Sequence, residues 1–223
     1  MFYISFFLND LKINHLEKNF LYQRKLISKI SKKEMNTMQN ALIYVFGDRM
    51  TGKSSMIKKW KNETVQQFGY RPTKGISTTH HEMFIHDELY NVKIRETNAK
   101  DERDGDRVVL KGDKQHQLLE NNNIPVFIYI LFDVTKRRSF ESIENFWIPF
   151  IQAHNLPMTS ITIVANKIDI ILHREVMEDE GRNYAEEHGF DYMEFSIYLD
   201  ENGDIVKKVD SDIDLNYSYG CLW

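Results

Sequence analysis

Short, unbroken apolar segments alternate along this chain with longer amphipathic ones. Residues 41–46, 124–131 and 161–165 are apolar but for Thr162 and of strand length. Continuous apolarity suits strands covered on both faces, as in a parallel sheet. Between them, residues 54–67, 139–154 and 174–187 carry helical spacing. Strand and helix alternating in this way predict a doubly wound α/β domain, a mostly parallel sheet with helices on both faces. Residues 82–86 and 90–94 read as a neighbouring strand pair, antiparallel across a tight turn near Asp87. Residues 97–123 form a long polar connection, and loops of that length usually carry function.

The flanks differ in texture from this middle zone of residues 40–198. Residues 1–39 lack glycine and proline and hold seven basic residues against three acidic ones. Ile13, Leu16, Phe20, Ile27 and Ile30 share one helical face, with a polar break at Gln23 and Arg24. Three readings stay open for this extension: a helix packed on the domain, a helix lying on a membrane surface, or a non-native stretch ahead of a start at Met35 or Met38. Residues 199–223 form an acidic tail. Its Asp200-Glu-Asn202-Gly203-Asp stretch signals a hairpin, while Ile205, Val209 and Ile213 have the spacing of a short helix. A weak closing helix would leave one sheet face under-covered, a place that residues 13–30 could take.

Composition narrows the chemistry. Lys and Arg number 29 against 33 Asp and Glu, a net charge of −4, which offers no electrostatic case for nucleic-acid binding. The single cysteine, Cys221, excludes an intramolecular disulfide framework and a cysteine-based zinc site. No apolar run approaches the roughly 20 residues of a membrane span. The expectation is a cytoplasmic protein, peripheral on membranes at most.

Gly47-Asp-Arg-Met-Thr-Gly-Lys-Ser54 is a complete G-x-x-x-x-G-K-S, set between a predicted strand and a predicted helix. Glycines there let the backbone wrap closely and aim N–H groups at phosphate oxygens, and the helix N-terminus adds its positive end. Lys53 supplies a cation for the β- and γ-phosphates, and Ser54 offers a hydroxyl to Mg²⁺. Gly47, Arg49, Met50, Thr51, Gly52 and Ser55 complete the phosphate-facing set. The base is read by Asn166-Lys167-Ile168-Asp169, at the carboxyl end of an apolar strand. A carboxylate at Asp169 can accept from the N1–H and exocyclic amine of guanine, whereas adenine would leave it unpaired. Asn166 would tie the loop together and Lys167 would lie over the base. An ATP-using P-loop kinase is disfavoured by the same residues.

With both motifs in place, residues from about 42 to 196 resemble the Ras-superfamily small GTPases, and are most similar to Rab. Asp133-Val-Thr-Lys-Arg-Arg-Ser-Phe140, Trp147, and Glu180-Gly-Arg-Asn-Tyr-Ala-Glu-Glu-His-Gly-Phe190 look like Rab segments. Tyr70-Arg-Pro-Thr73-Lys-Gly is similar to the first switch, which implies that Thr73 closes on Mg²⁺ and the γ-phosphate. The resemblance implies a P-loop small G domain with a six-stranded sheet that binds GTP or GDP with Mg²⁺. It also implies an effector or complex subunit that reads the switch regions 70–78 and 97–123.

Several positions depart from the family pattern. Where the second switch has D-T-A-G-Q, this chain has Glu96-Thr97-Asn98-Ala99-Lys100. Glu96 keeps a carboxylate for Mg²⁺, one methylene longer. Ala99 replaces a glycine whose N–H meets the γ-phosphate. Lys100 replaces the glutamine that orients the attacking water, and an ammonium has donors but no acceptor. Arg49 puts bulk beside the γ-phosphate where most relatives have glycine. Ser196-Ile197-Tyr198 stands for the last base-contacting element, S-A-K, and keeps only its serine. Cys221, three from the end, fits no prenylation pattern, which argues against lipid attachment there and leaves membrane association open. These departures imply a switch with slow or impaired hydrolysis acting in intracellular or vesicle traffic. The alternative is a pseudo-GTPase subunit of a larger complex without turnover, of which ciliary transport offers an example. His80, His81 and His86 read as a solvated strand face, and the charged run from Lys100 to Lys114 as a solvated loop.

Overall fold

Gln39–Gly47 forms the first strand, β1, and its residues from Ala41 onward are buried. In the computed structural model the described residues are 39–61, 63, 76–85, 88–97, 124–158, 160–200 and 203–220. Expectations placed on residues 1–38, 64–75, 98–123 and 221–223 therefore lie outside them. Contacts divide the chain into two units. One comprises residues 40–81 and 92–223; the other comprises residues 1–39 and 82–91, of which Gln39 and the strand segments 82–85 and 88–91 are described.

After β1 come helix α1 (Lys53–Trp60), β2 (Ile76–Ile85), β3 (Glu88–Thr97) and β4 (Val126–Asp133). A helical run over residues 137–153, α2, follows, then β5 (Ile161–Asn166), α3 (Glu178–Glu187), β6 (Asp191–Phe195) and α4 (Asp204–Gly220). The six strands make one sheet in the order β2-β3-β1-β4-β5-β6. β1, β4, β5 and β6 pair in parallel, with Tyr44 opposite Ile128, Ile130 opposite Ile163 and Val164 opposite Met193. β2 and β3 are neighbours joined by two residues, a link only an antiparallel hairpin permits. The expected mostly parallel α/β sheet is what forms. β2 and β3 are longer than their expected 82–86 and 90–94, and residues 86 and 87 lie outside the description.

Alternation along the central strands sorts the core into two faces. Leu42, Tyr44 and Phe46 of β1, with Ile128, Ile130 and Phe132 of β4, join Trp147, Ile151 and Ala185 of the α2 and α3 side. On the other face α1 and α4 pack together, burying Met56, Trp60, Ile205, Val209 and Ile213. Burying such side chains fully contributes roughly 1.5–3 kcal/mol each, which makes this layering the main source of stability.

At three places the structure refines the sequence reading. The helix expected from residue 174 begins at Glu178, because Arg174–Met177 runs extended along the end of β4. There the N–H groups of Glu175 and Val176 donate to Val134 O, and the Arg174 guanidinium donates to Val176 O and Glu194. Of the hairpin and the helix left open for the closing segment, the helix forms, as α4. The Asp200 carboxylate accepts from the Asp204 N–H at 2.6 Å, satisfying a helix-terminal donor, and Gly203 takes φ 67° just ahead of the helix. The sheet face expected to be under-covered is therefore covered by α4. Third, α2 is not uniform. α-Helical Arg137–Ser142 and Ile148–Ala153 flank a π-helical turn, Ile143–Trp147, in which the Ile148 N–H returns to Ile143 O. Pro149 accounts for the widening: it has no N–H, and its ring would press on the carbonyl four residues back.

Candidate nucleotide site

The loop from Gly47 to Ser54 joins β1 to α1, the place the motif requires. Its path depends on glycine at two points. Gly47 has φ 134° and a Cβ there would lie 2.3 Å from Leu131 O; Gly52 has φ 99° and its Cβ would lie 2.1 Å from Asn166 Nδ2. Met50 also takes a left-handed φ of 66°, a conformation that costs a side-chain-bearing residue about 1–2 kcal/mol. Its side chain and that of Arg49 are exposed. Thr51 is buried, and its Oγ1 donates to Asp48 O at 2.9 Å. Ser55 lies half-buried in the first turn of α1.

Lys53 is buried and donates from Nζ to Gly47 O and Asp48 O, both at 2.8 Å. An ammonium has three donors, so one N–H is left for a phosphate oxygen. Burial pushes the amine down to about 8, against the opposing pull of Glu96 and Asp48. Ser54 Oγ donates to Glu96 Oε1 at 2.5 Å, where β3 ends. A hydroxyl and a carboxylate side by side are hard oxygen donors of the kind Mg²⁺ takes, typically with phosphate oxygens filling its remaining positions. Among the described residues no group of three His, Cys, Asp or Glu could hold a metal without such help. The residues fit Mg²⁺ brought in with a nucleotide, and Ser54 and Glu96 would hold it.

The second loop follows β5 and reaches back to the first. Asn166, buried at the end of that strand, donates from Nδ2 to Thr51 O at 2.6 Å and accepts the Lys167 N–H at 2.7 Å. Lys167 has φ 68°, and its ammonium donates to Asp133 Oδ2 at 2.5 Å. Burial of Asp133 pushes its carboxyl up, yet bonds from Lys167 and Thr135 prevail and hold it below the ordinary value. Asp169 Oδ1 accepts from Ser196 Oγ at 2.6 Å, and Ser196 Oγ also accepts the Tyr198 N–H. Ile197 is half-buried beside it. Four separate stretches of chain, at β1, β3, β5 and β6, thus meet at the carboxyl ends of the strands, where ligands of open α/β sheets bind.

Thr73, Ala99 and Lys100 fall outside the described residues, as do most of switch regions 70–78 and 97–123. His80 is exposed, whereas His81 packs edge-on against Trp60 at 5.5 Å and its pKa is lowered, chiefly by burial. His86 and Cys221 are not among the described residues. Sequence reasoning missed two acceptors, Asp133 and Asp48. Asp133 is the lone charge closing an apolar strand, a signal that it has a cation. Asp48 accepts from Trp147 Nε1 at 3.0 Å and from Ser142 Oγ at 2.8 Å. A tryptophan on an apolar helix face needs such an acceptor once buried.

An open α/β sheet with this phosphate loop, tied to an N-K-x-D loop after β5, defines a P-loop protein of the small G domain class. A family model described as the Ras family matches residues 42–209, and the chain belongs to that family, where it is Rab-like. It is 27% identical over 160 residues to Ras-related protein RABA6a of Arabidopsis thaliana, covering 71% of this chain and 62% of that one. It is 25% identical over 167 residues to Ras-related protein Rab5A of Oryza sativa subsp. japonica, covering 72% and 73%. Ras-like protein rasU of Dictyostelium discoideum is 30% identical over 175 residues, covering 77% and 74%. The chain spans less than two thirds of the two Arabidopsis relatives it matches. Members of the family bind GTP or GDP, generally with Mg²⁺, and meet effectors through their switch regions. No helix among the described residues is long and apolar enough to cross a membrane.

Proposed function

We propose that this protein is a guanine-nucleotide-binding regulatory switch of the Rab type, acting in intracellular traffic, with slow or impaired GTP hydrolysis. The observation that carries the reading is the bond from Asn166 Nδ2 to Thr51 O, 2.6 Å across 115 residues. It ties a loop suited to phosphates to one suited to a base. Gly47, Gly52 and the first turn of α1 offer backbone N–H groups to the phosphates, and Lys53 offers its remaining donor. Asp169, oriented by Ser196, accepts from the guanine edge, with Lys167 over the base and the backbone at Ile197 beside it. Mg²⁺, when bound, neutralises charge on the β- and γ-phosphates. Ser54 and Glu96 would hold it, and by resemblance Thr73 would join them when GTP is present. Lys100 cannot accept from an attacking water as glutamine does, and the Arg49 side chain crowds the approach of a helper arginine, so turnover is slow.

Titration with mant-GTP and mant-ATP, with and without Mg²⁺, tests the binding reading, with tight Mg²⁺-dependent binding of the guanine nucleotide expected. Single-turnover assays should show slow hydrolysis, accelerated in Lys100→Gln. Brisk hydrolysis in the wild type would overturn the slow-switch reading, and absence of any nucleotide binding would favour a pseudo-GTPase subunit.

A further inference from the structure

The phosphate loop carries a carboxylate, Asp48, whose charge is wrong for a phosphate cradle. Both its oxygens are held by α2: Trp147 Nε1 donates to Oδ1 at 3.0 Å and Ser142 Oγ to Oδ2 at 2.8 Å. In a regular α-helix, residues five apart point roughly 140° away from each other and could not serve one carboxylate. The turn between Ser142 and Trp147 is π-helical, and its i→i+5 return brings the fifth residue back nearly over the first. The departure from α-helix is what lets these two donors converge.

The indole has little freedom to move. Trp147 is fully buried, stacked on Phe46 of β1 at 5.5 Å and edge-on to Phe150 at 5.9 Å. The other end of Asp48 serves the phosphate loop, since its carbonyl accepts from Lys53 Nζ, Thr51 Oγ1 and the Thr51 N–H. One residue therefore links a rigid helix to the lysine of the phosphate site. We propose that the π turn of α2 is a clamp. Ser142 and Trp147 are positioning residues that draw the Asp48 carboxylate away from the phosphates, hold the loop in its nucleotide-ready shape, and so set how long a nucleotide stays. This rests on the nucleotide reading above.

Dissociation of mant-GDP, chased with unlabelled GDP, tests the clamp in the full chain. Ser142→Ala and Trp147→Phe should each speed release about three- to tenfold, and Asp48→Asn at least as much. Combining Asp48→Asn with either helix variant should add little, because the three act through one contact. Ser142→Ala removes only a half-buried hydroxyl, so it keeps the test open if Trp147→Phe folds poorly. A second readout needs no nucleotide. The Trp147 indole N–H, followed by NMR, should exchange with solvent at least tenfold faster in Asp48→Ala, which has no acceptor for it, than in wild type. Wild-type protein that binds no mant-GDP sinks the nucleotide reading, and indole exchange then judges the contact alone. Unchanged release together with unchanged indole exchange in these variants would overturn the clamp.

Discussion

Ser54 and Glu96, 42 residues apart, meet through a 2.5 Å bond in which the hydroxyl donates to the carboxylate. The contact places the end of β3 directly against the first turn of α1, with Lys53 beside both. Glutamine at position 96 would keep the shape but lose the charge a divalent cation needs. Glu96→Gln is expected to remove most of the Mg²⁺-dependent part of nucleotide affinity, roughly 10–100-fold. Its affinity without Mg²⁺ should change little. Mant-GDP titrations in Mg²⁺ and in EDTA check this, and an undiminished Mg²⁺ effect would remove Glu96 from the metal site.

Lys53 carries a stability cost that its site requires. Its amine titrates near 10.5 when free and is pushed down to about 8 in the fold, first by burial, with Glu96 and Asp48 opposing. Between those pH values the unfolded chain holds a proton that the fold has shed, so stability from this group rises as pH climbs from 8 toward 10. Below pH 8 both states are charged and the fold bears the full cost of burying the ammonium. Lys53→Met should therefore stabilise the nucleotide-free protein at pH 7, by on the order of 2 kcal/mol, and flatten that alkaline rise. The same variant should bind no nucleotide. Urea unfolding at pH 7 and 9.5, wild type against variant, decides it; a destabilised variant would mean that the Lys53 bonds to Gly47 O and Asp48 O outweigh desolvation.

The sheet and the loop containing Lys53 were legible because each has a short-range signature. Continuous apolar runs mark β1, β4 and β5, and the glycine spacing marks the loop. What was not legible depended on partners distant in sequence. Arg174–Met177 has helical composition, yet Val134 O and Glu194 hold it extended. Asp200 to Gly203 carries turn residues that serve equally a hairpin and a helix cap, and only the buried Ile205, Val209 and Ile213 decide between them. The π turn follows from Pro149, which read as one more position in a periodic stretch. In the site the loops were evident, but the Asp133–Lys167 and Asp48–Trp147 contacts join residues 34 and 99 apart.

Two of the three positive-φ positions in the phosphate loop, Gly52 and Met50, predict opposite responses. At Gly52 a methyl group would meet Asn166 Nδ2 at 2.1 Å in a backbone of φ 99°. Gly52→Ala should displace Asn166 from Thr51 O and cost about 2 kcal/mol of stability, with loss of nucleotide affinity. At Met50, where φ is 66° and the side chain is exposed, Met50→Gly relieves strain. It should stabilise by up to ~1 kcal/mol, because added freedom in the unfolded chain offsets part of the relief. Thermal melts of the two variants check the signs, and a destabilised Met50→Gly would show that the methionine makes contacts worth more than its strain.

Asp133 gives the acid limb. Burial raises its carboxyl, but the bonds from Lys167 and Thr135 more than offset this and leave it lowered. The stability it contributes is present above about pH 4, where the unfolded carboxyl is ionised, and is lost as pH falls through the folded value. Asp133→Asn should cost about 1–3 kcal/mol at pH 7 and flatten the decline in stability below pH 4. Denaturant midpoints from pH 3 to 7 measure both. An equally steep decline in the variant would assign the acid sensitivity to other carboxylates.

Helix α4 is held on the sheet by a polar contact as well as by apolar burial. Tyr129 is fully buried on β4 and donates its hydroxyl to Asp212 Oδ2 at 2.5 Å. Burial first, and then the charge of Asp212, raises the phenol well above its usual value. Lys208 supports the acceptor, bonding to Asp212 and, at 2.8 Å, to Asp191. A raised phenol contributes stability that is complete below pH 10 and declines as pH climbs toward the folded value. Tyr129→Phe should destabilise by about 1–2 kcal/mol at pH 7 and soften that alkaline decline. Asp212→Ala should cost a similar amount, and the double variant little more than either single one, since both remove one bond. Ile213→Ala, which empties the fully buried contact of the same helix, should cost about 2–4 kcal/mol and add to the others. Additive Tyr129 and Asp212 losses would mean that the two side chains stabilise the molecule separately, and that apolar burial alone holds α4 on the sheet.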